Sequence, residues 1–131
     1  MVIKLSLISL LLFCLTEMAC KEDEEETFYD IQAQGTVTKV SIYPLDSATV
    51  VLAYGWGGKT VSTTTTDDSG KYYITGRMPC DDIRIVASKE GYYSLRYPPP
   101  IMDLNYPGTR KPLRCTNELQ TFDFPLKLTN Y

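Results

Sequence analysis

The chain has 131 residues, 13 basic against 16 acidic side chains, and no histidine. The missing histidine excludes histidine-based catalytic triads and histidine metal sites. A net charge of −3 without a basic stripe gives no footprint for nucleic acid.

Lys4 precedes an apolar run from Leu5 to Leu15, and Ala19 stands directly before Cys20. The run fits the roughly 7–15 residues of a signal-peptide core. It falls short of the about 20 apolar residues that a membrane-spanning helix needs. Ala19-Cys20 resembles the cleavage site of bacterial lipoproteins, with Glu17 where a leucine is usual. The resemblance implies cleavage after residue 19, acylation of Cys20, and attachment to a membrane through the N-terminal lipid. An ordinary secretory leader with an incidental cysteine is the alternative. Cys14, behind bulky Phe13, is a poorer acylation site.

Lys21, Glu22, Asp23, Glu24, Glu25 and Glu26 come next. Like charges this dense repel and bury no apolar area, so residues 20–30 are expected to form a solvated, disordered tether. A lysine and carboxylates directly after a lipidated cysteine resemble the surface-export signal of Bacteroidota lipoproteins. That implies an outer-membrane protein facing the cell exterior. A plain spacer, leaving the body facing the periplasm, is the other reading.

Residues 31–131 are expected to form one domain. Helical periodicity is absent, and Gly, Pro, Asn and Asp punctuate at short intervals, so the body reads as all-β. A first strand is expected over Ile31 to Thr38. A second, Ala48 to Tyr54, places Ala48, Val50 and Leu52 on one face. The Gly-rich turn Gly55-Trp56-Gly57-Gly58 leads to a third, Thr60 to Thr66, rich in β-branched residues. Asp67-Asp68-Ser69-Gly70 is a turn signal. Strand four, Lys71 to Thr75, points Tyr72 and Ile74 the same way. Strand five, Asp82 to Ser88, alternates Ile83, Ile85 and Ala87 with outward Arg84. The last, Leu119 to Leu128, stacks Phe122, Phe124, Leu126 and Leu128 opposite Asp123 and Lys127. Pro125 places that strand at an edge or a bulge.

An insertion over about 96–117 lacks periodicity and carries Pro98-Pro99-Pro100, a stiff extended segment. Loops this long are functional or tied down. Cys80 and Cys115 remain after leader and anchor are set aside. In an oxidising compartment they most simply pair, closing a loop worth roughly 3–4 kcal/mol, while two free buried thiols are the alternative.

The order of parts then matches a known family. Gly35-Thr36-Val37, Pro44-Leu45, Ala48-Thr49-Val50-Val51-Leu52, Thr66-Asp67-Asp68-Ser69-Gly70-Lys71-Tyr72, Ile83-Arg84-Ile85-Val86-Ala87 and Glu90-Gly91-Tyr92 follow one another. Residues Ile31 to Tyr93 resemble the carboxypeptidase regulatory-like (transthyretin-like) domain. The resemblance implies a seven-stranded prealbumin-like, Ig-like β-sandwich, and a domain common on Bacteroidota surface proteins. The family has no shared catalytic residues, so no catalytic role carries over. Lys39-Val40-Ser41-Ile42-Tyr43 replaces the family's usual Asp/Gly-rich turn after the first strand.

The pairs Asp67-Asp68 and Asp81-Asp82 flank turns, where aspartate is ordinary. No metal or cofactor is expected. Trp56, between glycines beside Tyr54, offers a flat face for a sugar ring or a partner protein. Its alternative is to fold back over the open end of the sandwich. Tyr97, with Tyr93 and Tyr106, forms a second candidate patch around the insertion. The leading expectation is a non-catalytic, surface-anchored interaction or scaffold module with a protein partner. The alternative is a carbohydrate-binding lipoprotein of a glycan-uptake system, with Trp56 and Tyr54 as stacking residues.

Overall fold

The computed structural model describes residues 26–40, 42–99 and 112–129. All regular structure among them is extended. Ten strand segments run in chain order: β1 (Phe28–Lys39), β2 (Tyr43–Pro44), β3 (Thr49–Tyr54), β4 (Lys59–Thr65), β5 (Lys71–Pro79), β6 (Arg84–Ser88), β7 (Tyr92–Tyr93), β8 (Leu95–Tyr97), β9 (Leu119–Thr121) and β10 (Phe124–Leu128). Two of these, β2 and β7, are two-residue segments, and β9 and β10 are one strand broken at Phe122 and Asp123. The seven principal strands of a sandwich remain.

They form two sheets. One has the order β4-β3-β6-β8, and the other is built around β1. The first nine residues of β1 pair antiparallel with β5, Phe28 opposite Pro79 and Thr36 opposite Lys71. On its other side β1 pairs parallel with β9, and its last residues, Val37 to Lys39, pair with β10 and β2. Alternation along each strand sends one set of side chains between the sheets, including Ile31, Val37, Val50, Leu52, Ile74, Ile85, Phe124 and Leu126. Each such side chain contributes about 1.5–3 kcal/mol through burial.

The break between β9 and β10 has a local cause. The amide of Phe122 donates to the carbonyl of Gln34 at 2.9 Å, and the chain then passes so close to Gly35 that a Cβ there would lie 1.9 Å from the Phe122 carbonyl oxygen. Only glycine admits that approach. Oδ1 of Asp123 then accepts from both the amide and the hydroxyl of Thr36, each at 3.0 Å. Pro125 lies opposite Thr38 of β1, and β7 reaches only Lys127 and Leu128 on the other side, so the proline occupies a stretch open on one flank.

The central turn forms as expected. Asp67 Oδ1 accepts from the amides of Ser69 and Lys71 at 2.9 Å, and Gly70 takes φ +73°. Thr66 is buried and knits the loop beneath, donating to Leu45 O at 2.6 Å and accepting from Ala48 N at 2.9 Å.

Several expected boundaries move; strand four, for one, runs on from Thr75 to Pro79 because β1 pairs with it along that length. The tether ends earlier than residue 30, because Phe28, Tyr29 and Asp30 already pair with Pro79, Met78 and Arg77. Strand five starts at Arg84 rather than Asp82, because Asp82 is left-handed at φ +45° and cannot extend the ladder. The insertion starts later than Arg96. Leu95, Arg96 and Tyr97 are β8, paired with Ala87, Val86 and Ile85, and three residues are too few to show a period.

Candidate functional site

The strand directions divide the sandwich into two poles. At one pole β1 begins, β5 ends and β3 turns into β4. There the Gly55–Gly58 turn is closed by a bond from the Gly58 amide to Gly55 O at 3.0 Å, with Gly55 and Gly58 at φ +82° and +69°. The Gly55 amide donates to Asp81 O at 2.8 Å, and Arg84 Nη2 donates to Gly55 O. Asp82 steadies Arg84 with an ion pair at 3.9 Å. Arg84 therefore leaves the core as expected but folds onto the turn instead of standing in solvent.

Next to this turn, Cys80 and Cys115 form a disulfide with their Cα atoms 5.7 Å apart. Leu113 is buried beside it, and the Gln120 side chain exchanges two bonds with Arg114, its Oε1 accepting from the amide at 2.9 Å and its Nε2 donating to the carbonyl at 3.0 Å. The far end of the insertion is thus pinned by a covalent bond, a side chain in the core and an amide clamp.

Trp56 projects from the tip of the fastened turn, 97% exposed. It does not fold back over the sandwich. Tyr54 lies below it, half-buried, with Lys59 Nζ 5.9 Å from its ring centre. Tyr97 is a correction. It is 1% exposed, its ring packed 5.0 Å from Phe122 and 5.1 Å from Phe124, and its hydroxyl donates to Asp123 O at 2.8 Å. It is a core residue because β8 turns it between the sheets, so it joins no surface patch. Tyr93 is exposed, on β7. Tyr106 lies outside the described residues, as do Cys20 and Lys21 to Glu25 of the anchor and export signal; Glu26 is exposed coil.

The opposite pole carries residues that the sequence reading did not single out as a site. The turn from β1 into β2 exposes Val40, Ile42 and Tyr43, with Ile42 72% exposed. Val40 is held at φ +55°, a region that a β-branched residue enters only at a cost of about 1–2 kcal/mol. The signal available in sequence was the departure from the family's turn at these same positions.

Between the poles an open groove of about 340 Å³ is lined by residues such as Gln34, Thr36, Lys71 and Asp123. Its acidic group is already engaged with Thr36. The adjoining outer face bonds to itself: Tyr73 donates to Gln32 at 3.0 Å, Gln32 donates to Asn117 O at 2.9 Å, and Arg77 pairs with Asp30 at 3.3 Å. Beneath it, Tyr72 donates its buried hydroxyl to Phe122 O at 2.6 Å. Burial first, then the Asp123 carboxylate and Tyr97, push its pKa far above the ordinary tyrosine value. These groups close the strand break and serve the fold. Among the described residues no group of three or more metal-ligating side chains occurs.

Among solved structures the chain is similar to the TIE protein of Bacillus anthracis, at 14% identity and TM-score 0.47 over 78% of this chain and 17% of that one. It is similar to 3-chlorocatechol 1,2-dioxygenase of Rhodococcus opacus 1CP, at 14% identity and TM-score 0.48 over 82% of this chain and 62% of that one. Catechol 1,2-dioxygenase of Acinetobacter sp. ADP1 follows at 13% identity and TM-score 0.45, over 81% and 54%. The chain thus spans less than two thirds of each of these proteins. No curated protein matches it. Residues 32–105, more than half of the sequence, match the family described as the carboxypeptidase regulatory-like domain, and the chain belongs to that family.

Proposed function

We propose that this chain is a non-catalytic lipoprotein, acylated at Cys20 and carried outside the outer membrane, whose sandwich presents its far pole to a partner protein. The observation that carries the reading is polarity. The chain enters the sandwich at Phe28, and the exposed apolar tip of Val40, Ile42 and Tyr43 lies at the other end of β1. A tether fixed at one end leaves the opposite end pointing away from the membrane. Three large apolar side chains on one strained turn suit a protein contact, since such contacts centre on a few buried apolar anchors. The lack of histidine, and the use of Asp67 and Asp82 within the fold, support a non-catalytic role. The glycan reading keeps Trp56, but its second stacking residue, Tyr54, stands half-buried.

The test has three parts. Mass spectrometry of the mature N-terminus is expected to find acylated Cys20. Protease shaving of intact cells is expected to remove the body. A partner crosslinked through residue 42 is expected to be lost from the Ile42→Asp chain. An unmodified terminus upstream of Cys20, a body spared on whole cells but digested in lysates, or a partner indifferent to Ile42→Asp each contradicts the corresponding part.

A further inference from the structure

We infer that the indole of Trp56 seats in the headgroup–acyl boundary of the bilayer that holds the Cys20 lipid. The inference rests on the anchoring proposed above and adds an orientation to it.

The placement follows from the strand ladder. Phe28, where the tether becomes β1, stands opposite Pro79. Two residues on, Asp81 accepts the Gly55 amide at 2.8 Å, and Trp56 is the next residue. Tether and tip therefore share one pole. From Cys20 to Phe28 there are eight residue steps, a reach of about 28 Å at most. Phe28, at the pole that carries Trp56, cannot move farther than that from the lipid.

The chemistry of the tip selects the occupant. Trp56 is 97% exposed and packs on nothing, so it contributes nothing to the core. The turn beneath it is nonetheless fastened through Asp81 and Arg84. A lone indole offers an apolar disc with one N–H donor, the combination that concentrates at membrane interfaces. A sugar platform or a protein hot spot would join it to neighbouring aromatic rings, whereas Tyr54 lies half-buried beside Lys59 and Tyr97 is in the core. Phe28, half-exposed at the same pole, adds apolar area. Charges here are mixed, Lys59 and Arg84 with Asp81 and Asp82, and the tether adds carboxylates. Partition of the indole, not attraction to anionic lipid, then holds the tip, and binding is indifferent to salt.

Trp56 is the single tryptophan of the chain, so intrinsic fluorescence reads this contact alone. The experiment places the mature acylated chain, residues 20–131, in vesicles of phosphatidylethanolamine and phosphatidylglycerol, with and without lipids brominated near the headgroup. The same chain begun at Lys21, which has neither leader nor acylated cysteine, gives the water-exposed reference. The expected result is blue-shifted emission, several-fold weaker iodide quenching than the reference, quenching by the brominated lipid, and no change in high salt. If the acylated chain floats with the vesicles but its emission matches the reference, the inference is overturned and the anchoring stands. If the chain does not float, the anchoring fails and the inference with it. Water-exposed emission together with glycan-array binding that Trp56→Ala abolishes assigns the indole to a sugar and overturns it equally.

Discussion

The two apolar tips of this sandwich, the Trp56 turn and the Val40–Tyr43 turn, are held in different ways. The Trp56 pole is fastened from outside the sheets, by the Cys80–Cys115 bond, the Arg84 side chain on Gly55 O, and the Gln120 clamp on Arg114. At the opposite pole the Val40–Tyr43 turn itself is held, among the described residues, by backbone bonds, from Val40 N to Leu126 O at 3.3 Å and from Ile42 N to Lys39 O at 3.2 Å, and it holds a β-branched residue at positive φ, while Lys89 on Asp46 and the Thr66 hydroxyl fasten the loops beside it. One pole displays a single aromatic on a braced support. The other displays several apolar side chains on a lightly held, strained turn. Bracing suits a side chain that must keep a fixed direction toward a nearby surface. A lightly held turn adapts to a partner and releases strain on doing so.

The largest effect expected from breaking this comparison comes from the disulfide. Replacing Cys80 and Cys115 by alanine is expected to cost about 3–4 kcal/mol in urea unfolding. Hydrogen exchange is expected to rise at the Gly55 amide well before the Val37 amide, since only the first depends on the braced loop. Equal loosening at both poles would remove the distinction. Glycine substitutions come next. Gly70→Ala, at φ +73° with a Cβ 2.6 Å from Val37 O, is expected to cost about 2–3 kcal/mol in thermal or urea unfolding. Gly57→Ala, which meets nothing within 4 Å, stays within about 0.5 kcal/mol.

Tyr72 ties the middle of the body to pH. Burial keeps its hydroxyl protonated in the fold, whereas the unfolded chain loses that proton near the ordinary value of about 10. Above that pH the unfolded state holds fewer protons than the native one, so stability falls as pH rises. Tyr72→Phe is expected to cost about 1–2 kcal/mol at neutral pH, because the Phe122 carbonyl loses its donor, and to flatten the alkaline decline. A decline above pH 10 unchanged in the variant would contradict this. Val40→Gly is a smaller test with the opposite sign, a gain of about 1 kcal/mol from relieved backbone strain. Ile42→Asp is expected to leave stability within about 0.5 kcal/mol, so any loss of partner binding is local.

Much of the body was legible because strand alternation is a local signal. Ala48, Val50 and Leu52, then Ile83, Ile85 and Ala87, all point inward as their spacing requires. The Asp67–Gly70 turn and the pairing of Cys80 with Cys115 were legible too, one from turn chemistry and the other from elimination among the cysteines. What stayed hidden depends on distant partners. Gly35 reads as a mid-strand weakness until Phe122 is seen crossing it. Asp123 reads as an outward charge until Thr36, 87 residues away, is placed against it. Tyr97 looked like surface because a three-residue strand shows no period. The Val40–Tyr43 tip was visible only as a departure from the family's turn, and neither composition nor spacing says whether a turn is exposed.

The most direct measurement of the polarity claim is a paired photo-crosslinking experiment on intact cells, with the reactive group at residue 56 in one chain and at residue 42 in the other. The account predicts lipid adducts from position 56 and a protein adduct from position 42. Protein adducts at 56 with lipid at 42, or lipid at neither, would contradict it.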